Sequence, residues 1–172
     1  MARGTDTGNA MLAEVFRYNR WANEQTIAKC RTLTDEQLDA GATGTFGSIR
    51  QTLQHVIDSQ RTQLARLRGM QRDPAIPDWS QWPGFDELAA VATSSSEALI
   101  AAAEALTSDS DVTLPYLGKS YRFPKSFVLT HAIVHGIEHR TQIGVMLSTL
   151  GVAPPDLDGW PYASAAGYGT EV

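Results

Sequence analysis

The sequence is poor in cysteine, in basic clusters and in long apolar runs. Cys30 is the sole cysteine among 172 residues, which excludes an internal disulfide and fits a reducing compartment. A lone thiol at the end of a helical stretch reads as a small apolar residue rather than a nucleophile. No apolar run approaches the roughly 20 residues needed to cross a bilayer, so a membrane partner is not expected. The opening residues, MARGTDTGNAML, lack the pattern of a signal peptide, and a cytoplasmic location is expected. Lys and Arg number 14 against 19 Asp and Glu, for a net charge of −5. The densest basic run, RTQLARLRGMQR at 61–72, reads as the solvated face of a helix, and no nucleic-acid partner is expected. The motif HExxH is absent, as is any paired carboxylate arranged as a general base.

Histidine is scarce as well, with four in the chain, yet three of them stand four apart. His131, His135 and His139 fall in THAIVHGIEHRTQIGVML, and His55 lies in TLQHVIDSQRTQL. Residues four apart on a helix share a side. Two neutral imidazoles so placed can grip one metal ion, and a third ligand from a facing helix completes an open site.

The hydrophobic fraction, 42%, is enough for one packed core, and the length suits a single domain over 1–172. Residues 1–8 are small and polar and are expected to fray. Apolar spacing predicts a first helix over 9–31 and a second over 48–68 with Ser48 as N-cap. A capping box at Thr34–Gln37 starts a short turn toward Leu38. The segment 69–84 holds three prolines and two tryptophans and reads as a connector whose aromatics pack on the helices. A third helix spans about 85–106. Two alternating runs at 108–123 around Leu117-Gly118-Lys119 suggest a short hairpin or a crossover loop. Pro124 suits the first turn of a fourth helix, which runs to about 150 and stops at Gly151 before Pro154-Pro155. The tail, 156–172, reads as irregular. The fold class is all-α, a four-helix bundle.

At about 100° per residue, with His131 at zero, His135 falls near about 40° and His139 near about 80°. Both straddle an apolar face with Val128 and Met146, while His131 lies at its edge. Three residues spanning two helical turns cover about 12 Å of rise, more than one ion bridges at metal–nitrogen bonds of about 2.0–2.1 Å. His135 and His139 are therefore the favoured pair. His131 is left as a fourth ligand, a hydrogen-bonding neighbour or a surface residue. His55 sits beside the stripe of the second helix and can face the fourth. Ligating imidazoles need acceptors for their other N–H, and His131, Gln142 and Glu138 are candidates, with Glu138 pointing away from the ligand centre. Leu129, Ile133, Ile137 and Leu147 make the far side of this helix apolar. That side is either packed within the bundle or a dimer face. The aromatics Trp79, Trp82, Tyr116, Tyr121 and Trp160 either line a substrate groove or plug the bundle ends, the second being the simpler reading.

Three segments carry a resemblance. Tyr18-Asn-Arg-Trp-Ala-Asn23, Ser48 to His55 (SIRQTLQH), and His135-Gly-Ile-Glu-His-Arg-Thr-Gln142 with its Gly151 and Pro154-Pro155 exit together resemble the DinB family over most of the chain. The resemblance implies an up-down-down-up bundle, commonly a homodimer, holding nickel, zinc or iron. Its ligand positions map onto His55, His135 and His139. The related mycothiol-dependent maleylpyruvate isomerases carry Glu at the position of His135, and several relatives are thiol S-transferases using mycothiol, bacillithiol or glutathione. Thr141 departs from the glycine that many members have before the Gln of the last helix. A metal-dependent S-transferase acting on a small-molecule substrate with a low-molecular-weight thiol is the leading expectation. A metal-dependent hydrolase and a non-enzymatic metal-binding stress-response dimer remain alternatives.

Overall fold

The computed structural model describes residues 4–72, 79 and 81–169. They form helices α1 (Gly4–Cys30), α2 (Asp35–Leu38), α3 (Ile49–Leu67), α4 (Phe85–Glu104), α5 (Lys125–Thr149) and α6 (Gly159–Ala165), with strands β1 (Asp111–Tyr116) and β2 (Lys119–Pro124) ahead of α5. The protein is thus mostly helical with one small antiparallel sheet. Helix α1 packs against α4 and α5, and α3 packs against the same two. Among the described residues no helix is long and apolar enough to cross a membrane.

Local chemistry sets the boundaries. Thr34 with Gln37, and Ser48 with Gln51, form reciprocal capping boxes that satisfy the first free N–H groups of α2 and α3. Helix α5 ends where Gly151 turns left-handed at φ 70°. Val152 N–H then reaches back to the Leu147 carbonyl at 2.9 Å, and Gly151 N–H to that of Ser148 at 3.0 Å. This Schellman turn satisfies carbonyls that the helix leaves free. In the hairpin, Leu117 and Gly118 both take positive φ, the geometry that matches a two-residue turn to strand twist. Val112 and Leu114 of β1 alternate inward onto Val128 of α5.

Two expectations are corrected. The tail is not irregular throughout, since Asp158 caps α6 by accepting from the Trp160 N–H. Phenol hydroxyls dock this tail on α1: Tyr18 donates to the Leu157 carbonyl, and Tyr162 and Tyr168 both donate to Glu14. The first helix also begins earlier, with residues 4–8 helical. Residues 1–3 lie outside the described set, as do 73–78 and 80 of the connector. The connector's Trp79 and Trp82 pack on the core.

Two apolar clusters hold the helices together, beside a small one under the hairpin. One gathers Ile27, Leu53, Ile57, Leu88, Ile143 and Met146. The other gathers Phe16, Leu99, Leu129 and Ala132 with small neighbours. On α1, α4 and α5, buried polar residues fall in sequence between the two clusters, and α3 adds Gln60 next to the first. The Oε1 of Gln60 accepts from Asn19 at 2.8 Å and Asn23 at 2.9 Å, and its Nε2 donates to Ser95 at 2.8 Å. Arg140 donates through Nη1 to the Oδ1 atoms of Asn19 and Asn23, at 2.8 and 2.7 Å. Burial pushes its guanidinium down to about 10, so it stays charged at neutral pH. Among the described residues no carboxylate is paired with it.

Gly136 is the space this layer requires. A Cβ there would lie 2.9 Å from both Arg140 Nη1 and Asn19 Oδ1. Those atoms are hydrogen-bonded to each other and cannot yield independently. Gly136→Ala should lower stability by about 1–2 kcal/mol, since overpacking exceeds the gain in helix propensity. The urea midpoint with unchanged m-value measures it.

Of the far side of α5, Leu129 and Leu147 are fully buried in the bundle and Ile133 packs on the second cluster. Ile137 is exposed, together with Val134 and Val145.

Candidate metal centre

Helix α3 supplies His55 and α5 supplies the other three histidines. The structure brings His55, His135 and His139 together, with one ligand atom from each lying within 4.8 Å of the other two. Their ring centroids are 4.3–4.8 Å apart. His131 stands one turn further along, its ring 5.4 Å from that of His135, and is not in the group. No carboxylate or thiol joins the three among the described residues.

The proton of His139 can be assigned from its neighbour. Gln142 turns its Oε1 toward two donors, the Phe46 N–H at 3.0 Å and His139 Nδ1 at 2.9 Å. A carbonyl oxygen only accepts, so Nδ1 carries a proton, and in the neutral ring Nε2 is the nitrogen with the lone pair. Phe46 comes from the loop between α2 and α3. Its ring stacks on His55 with centroids 3.9 Å apart and meets His139 edge-on. His135 Nε2 is buried without a hydrogen-bond partner among the described residues. A buried imidazole nitrogen costs free energy unless a partner meets it. A cation answers that need, and three convergent imidazole nitrogens are a donor set that zinc, nickel and iron accept. The residues present fit a divalent ion.

His131 is held differently. Gln63, buried on α3, approaches its Nδ1 through Nε2 at 3.0 Å while accepting from Arg66 Nη1 at 3.3 Å. Since Arg66 fixes the Gln63 oxygen, the Gln63 amide donates and His131 carries its proton on Nε2. Glu138 is exposed and stands away from the group. Cys30 is fully buried, and burial pushes its thiol up to about 12, so it supplies no nucleophile.

Burial first, then the neighbouring His139, His55, His131 and Arg66, holds His135 down to about 4. Burial and His139 also lower His55, against the opposing pull of Asp58. Burial and Arg66 lower His131. These imidazoles are neutral near pH 7, the form that binds metal. A depressed folded value means stability that is complete above the unfolded value of about 6.5 and falls as pH drops toward about 4. In chelator, the urea midpoint should therefore fall between pH 7 and 5, above the range of ordinary carboxylates. His135→Gln should flatten that slope, and an unchanged slope would contradict the assignment.

Sequence reasoning pointed to the three grouped histidines and to Gln142. It missed Phe46, Gln63 and Arg66. Gln63 lies eight residues after His55, two turns along one helix face, a signal the sequence did contain. Nothing local marks Phe46.

Comparison with known proteins adds two findings. The sequence matches the DinB family over residues 1–171. It is 26% identical over 149 residues to the "Uncharacterized protein YizA" of Bacillus subtilis (strain 168), a stretch covering 83% of this chain and 90% of that protein.

Proposed function

This chain belongs to the DinB family, and from that membership we propose that it binds one divalent ion through His55, His135 and His139 and acts as a thiol-dependent S-transferase. The observation that carries the reading is the buried, partnerless His135 Nε2 within a group of three imidazoles. Thiol-transferring relatives within the family support the reaction class.

A divalent ion on three neutral imidazoles keeps close to its full positive charge and supplies Lewis acidity that favours a thiolate over a thiol. The chain's own groups do the rest. Gln142 holds His139 in the tautomer that offers Nε2. Phe46 covers His55 and keeps water from one side of it. Cys30 takes no part, because the sulfur arrives with the cosubstrate. We read the four long helices as an up-down-down-up bundle forming one domain, a reading supported by the packing of both α1 and α3 on α4 and α5. The exposed Val134, Ile137 and Val145 on α5 support a homodimer.

Elemental analysis of the purified protein beside His55→Ala tests the metal. About one ion per chain, lost in the variant, is the expected result, and no ion after reconstitution with nickel, zinc and iron would end the proposal. Turnover of an electrophile with mycothiol, bacillithiol or glutathione, dependent on His55, tests the reaction. A metal-loaded protein inert with all three thiols would refute the transferase while leaving metal binding intact. Gln142→Ala should weaken metal affinity about tenfold to a hundredfold, the usual cost of removing a group that orients a ligand. Competition with a chromogenic chelator reads it.

A further inference from the structure

Beside the histidine group lies a cavity of about 410 Å³ between the hairpin and helices α3 and α5. Its size is that of a small-molecule site. Leu114, Phe123, Phe127 and Val128 make its walls largely apolar, Gln63, Arg66 and His131 supply polar groups along one side, and the Tyr116 phenol adds another from the hairpin. Among the described residues no acidic side chain lines it. Phe127 stacks in parallel with His131 and with Phe123, so the wall is a flat aromatic surface ending at the histidines.

The polar groups form a directed row. Arg66 holds the Gln63 oxygen, and the Gln63 amide holds His131 Nδ1. The His131 Nε2–H is left as a donor with no protein acceptor among the described residues. Arg66 makes no ion pair with a carboxylate among them. A guanidinium whose side-chain contact is one neutral amide retains donors for an anion. A neutral imidazole N–H beside it adds a second donor. Positive charge, two donors and an aromatic wall with no acid suit one ligand chemistry: a carboxylate on a flat apolar body.

We propose that this cavity binds the carboxylate of the electrophilic substrate, with Arg66 as its counter-charge and His131 as its second donor. The assignment of this anion as a substrate rests on the metal-dependent function above, while the binding itself does not. His131 joins the cavity to the metal group, its ring 5.4 Å from that of His135. A carboxylate anchored at Arg66 would leave the far end of the ligand free to lie along the row of imidazoles.

The test uses full-length protein, as purified and again after EDTA treatment, with 2-naphthoate and its neutral amide as probes in an NMR titration. The acid should perturb the amides of Arg66, Phe123, Phe127 and His131 in both forms. It should bind about tenfold to a hundredfold more tightly than the amide, the range for a charge-assisted hydrogen bond. Arg66→Met should erase the preference and Arg66→Lys should keep part of it. Both variants change a partly exposed side chain, and circular dichroism checks their fold. Equal binding of acid and amide, a preference that survives Arg66→Met, or binding that vanishes with EDTA would overturn the proposal. If the purified protein holds no metal yet the Arg66-dependent preference persists, the metal function fails and the carboxylate site stands. If the ion is present and Arg66 is irrelevant, the carboxylate site alone fails.

Discussion

His135→Ala should strip the protein of its ion while leaving its helices in place. The variant removes the nitrogen that is buried without a partner and leaves two of three donors. Metal affinity should fall on the order of a hundredfold or more, since each ligand carries a sizeable share of a binding free energy of many kcal/mol. His139→Ala should do the same. His131→Ala should hold metal within about twofold of wild type, because its ring lies outside the group and its Nδ1 is engaged by Gln63. Helix content should be unchanged in each variant, since the two apolar clusters form without the histidines. Retained metal in His135→Ala together with loss in His131→Ala would place the centre one turn toward the hairpin. Equilibrium dialysis with elemental analysis decides between the two.

Asn23→Leu should destabilise the protein by about 2–4 kcal/mol, the cost of losing a hydrogen bond to a buried charge together with a second buried one. The change deletes an acceptor of Arg140 and a donor to Gln60 at once. The guanidinium is left buried with Asn19 as its remaining amide acceptor. Adding Arg140→Met in that background should recover part of the loss, because it removes the buried charge and leaves only the neutral Asn19 Oδ1 without its donor. The double-mutant cycle isolates this coupling, with urea midpoints as the readout. Additive losses would mean that the layer acts as separate bonds rather than one network.

Most of the fold was legible because its signals are local. The boxes at Thr34 and Ser48, the stop at Gly151 and the Leu117–Gly118 turn are each set by neighbouring residues. Helix α6 escaped because its seven residues include Gly159 and Pro161, which read as turn signals, and because it is held by phenols reaching α1 across the whole chain. The core was read as apolar, and its polar layer was not foreseen. Asn19 and Asn23 look like surface residues in isolation, Gln60 falls on the apolar stripe of its helix, and only their mutual bonding makes burial tolerable. The histidine group was legible through spacing on α5 and through the scarcity of histidine elsewhere. Gln142 was legible for the same reason, standing one turn beyond His139. Phe46 and the Arg66–Gln63–His131 row were not, since they depend on how a loop and two helices meet.

A chain with one cysteine has no covalent way to tie its distant parts together. An ion held between His55 and His135 would do so by coordination, joining points far apart in sequence. Bonds that close long loops remove the most freedom from an unfolded chain. The centre would then act as a removable staple across the α3–α5 seam. Stability would follow metal supply, and a starved cell would hold a looser form of the same protein.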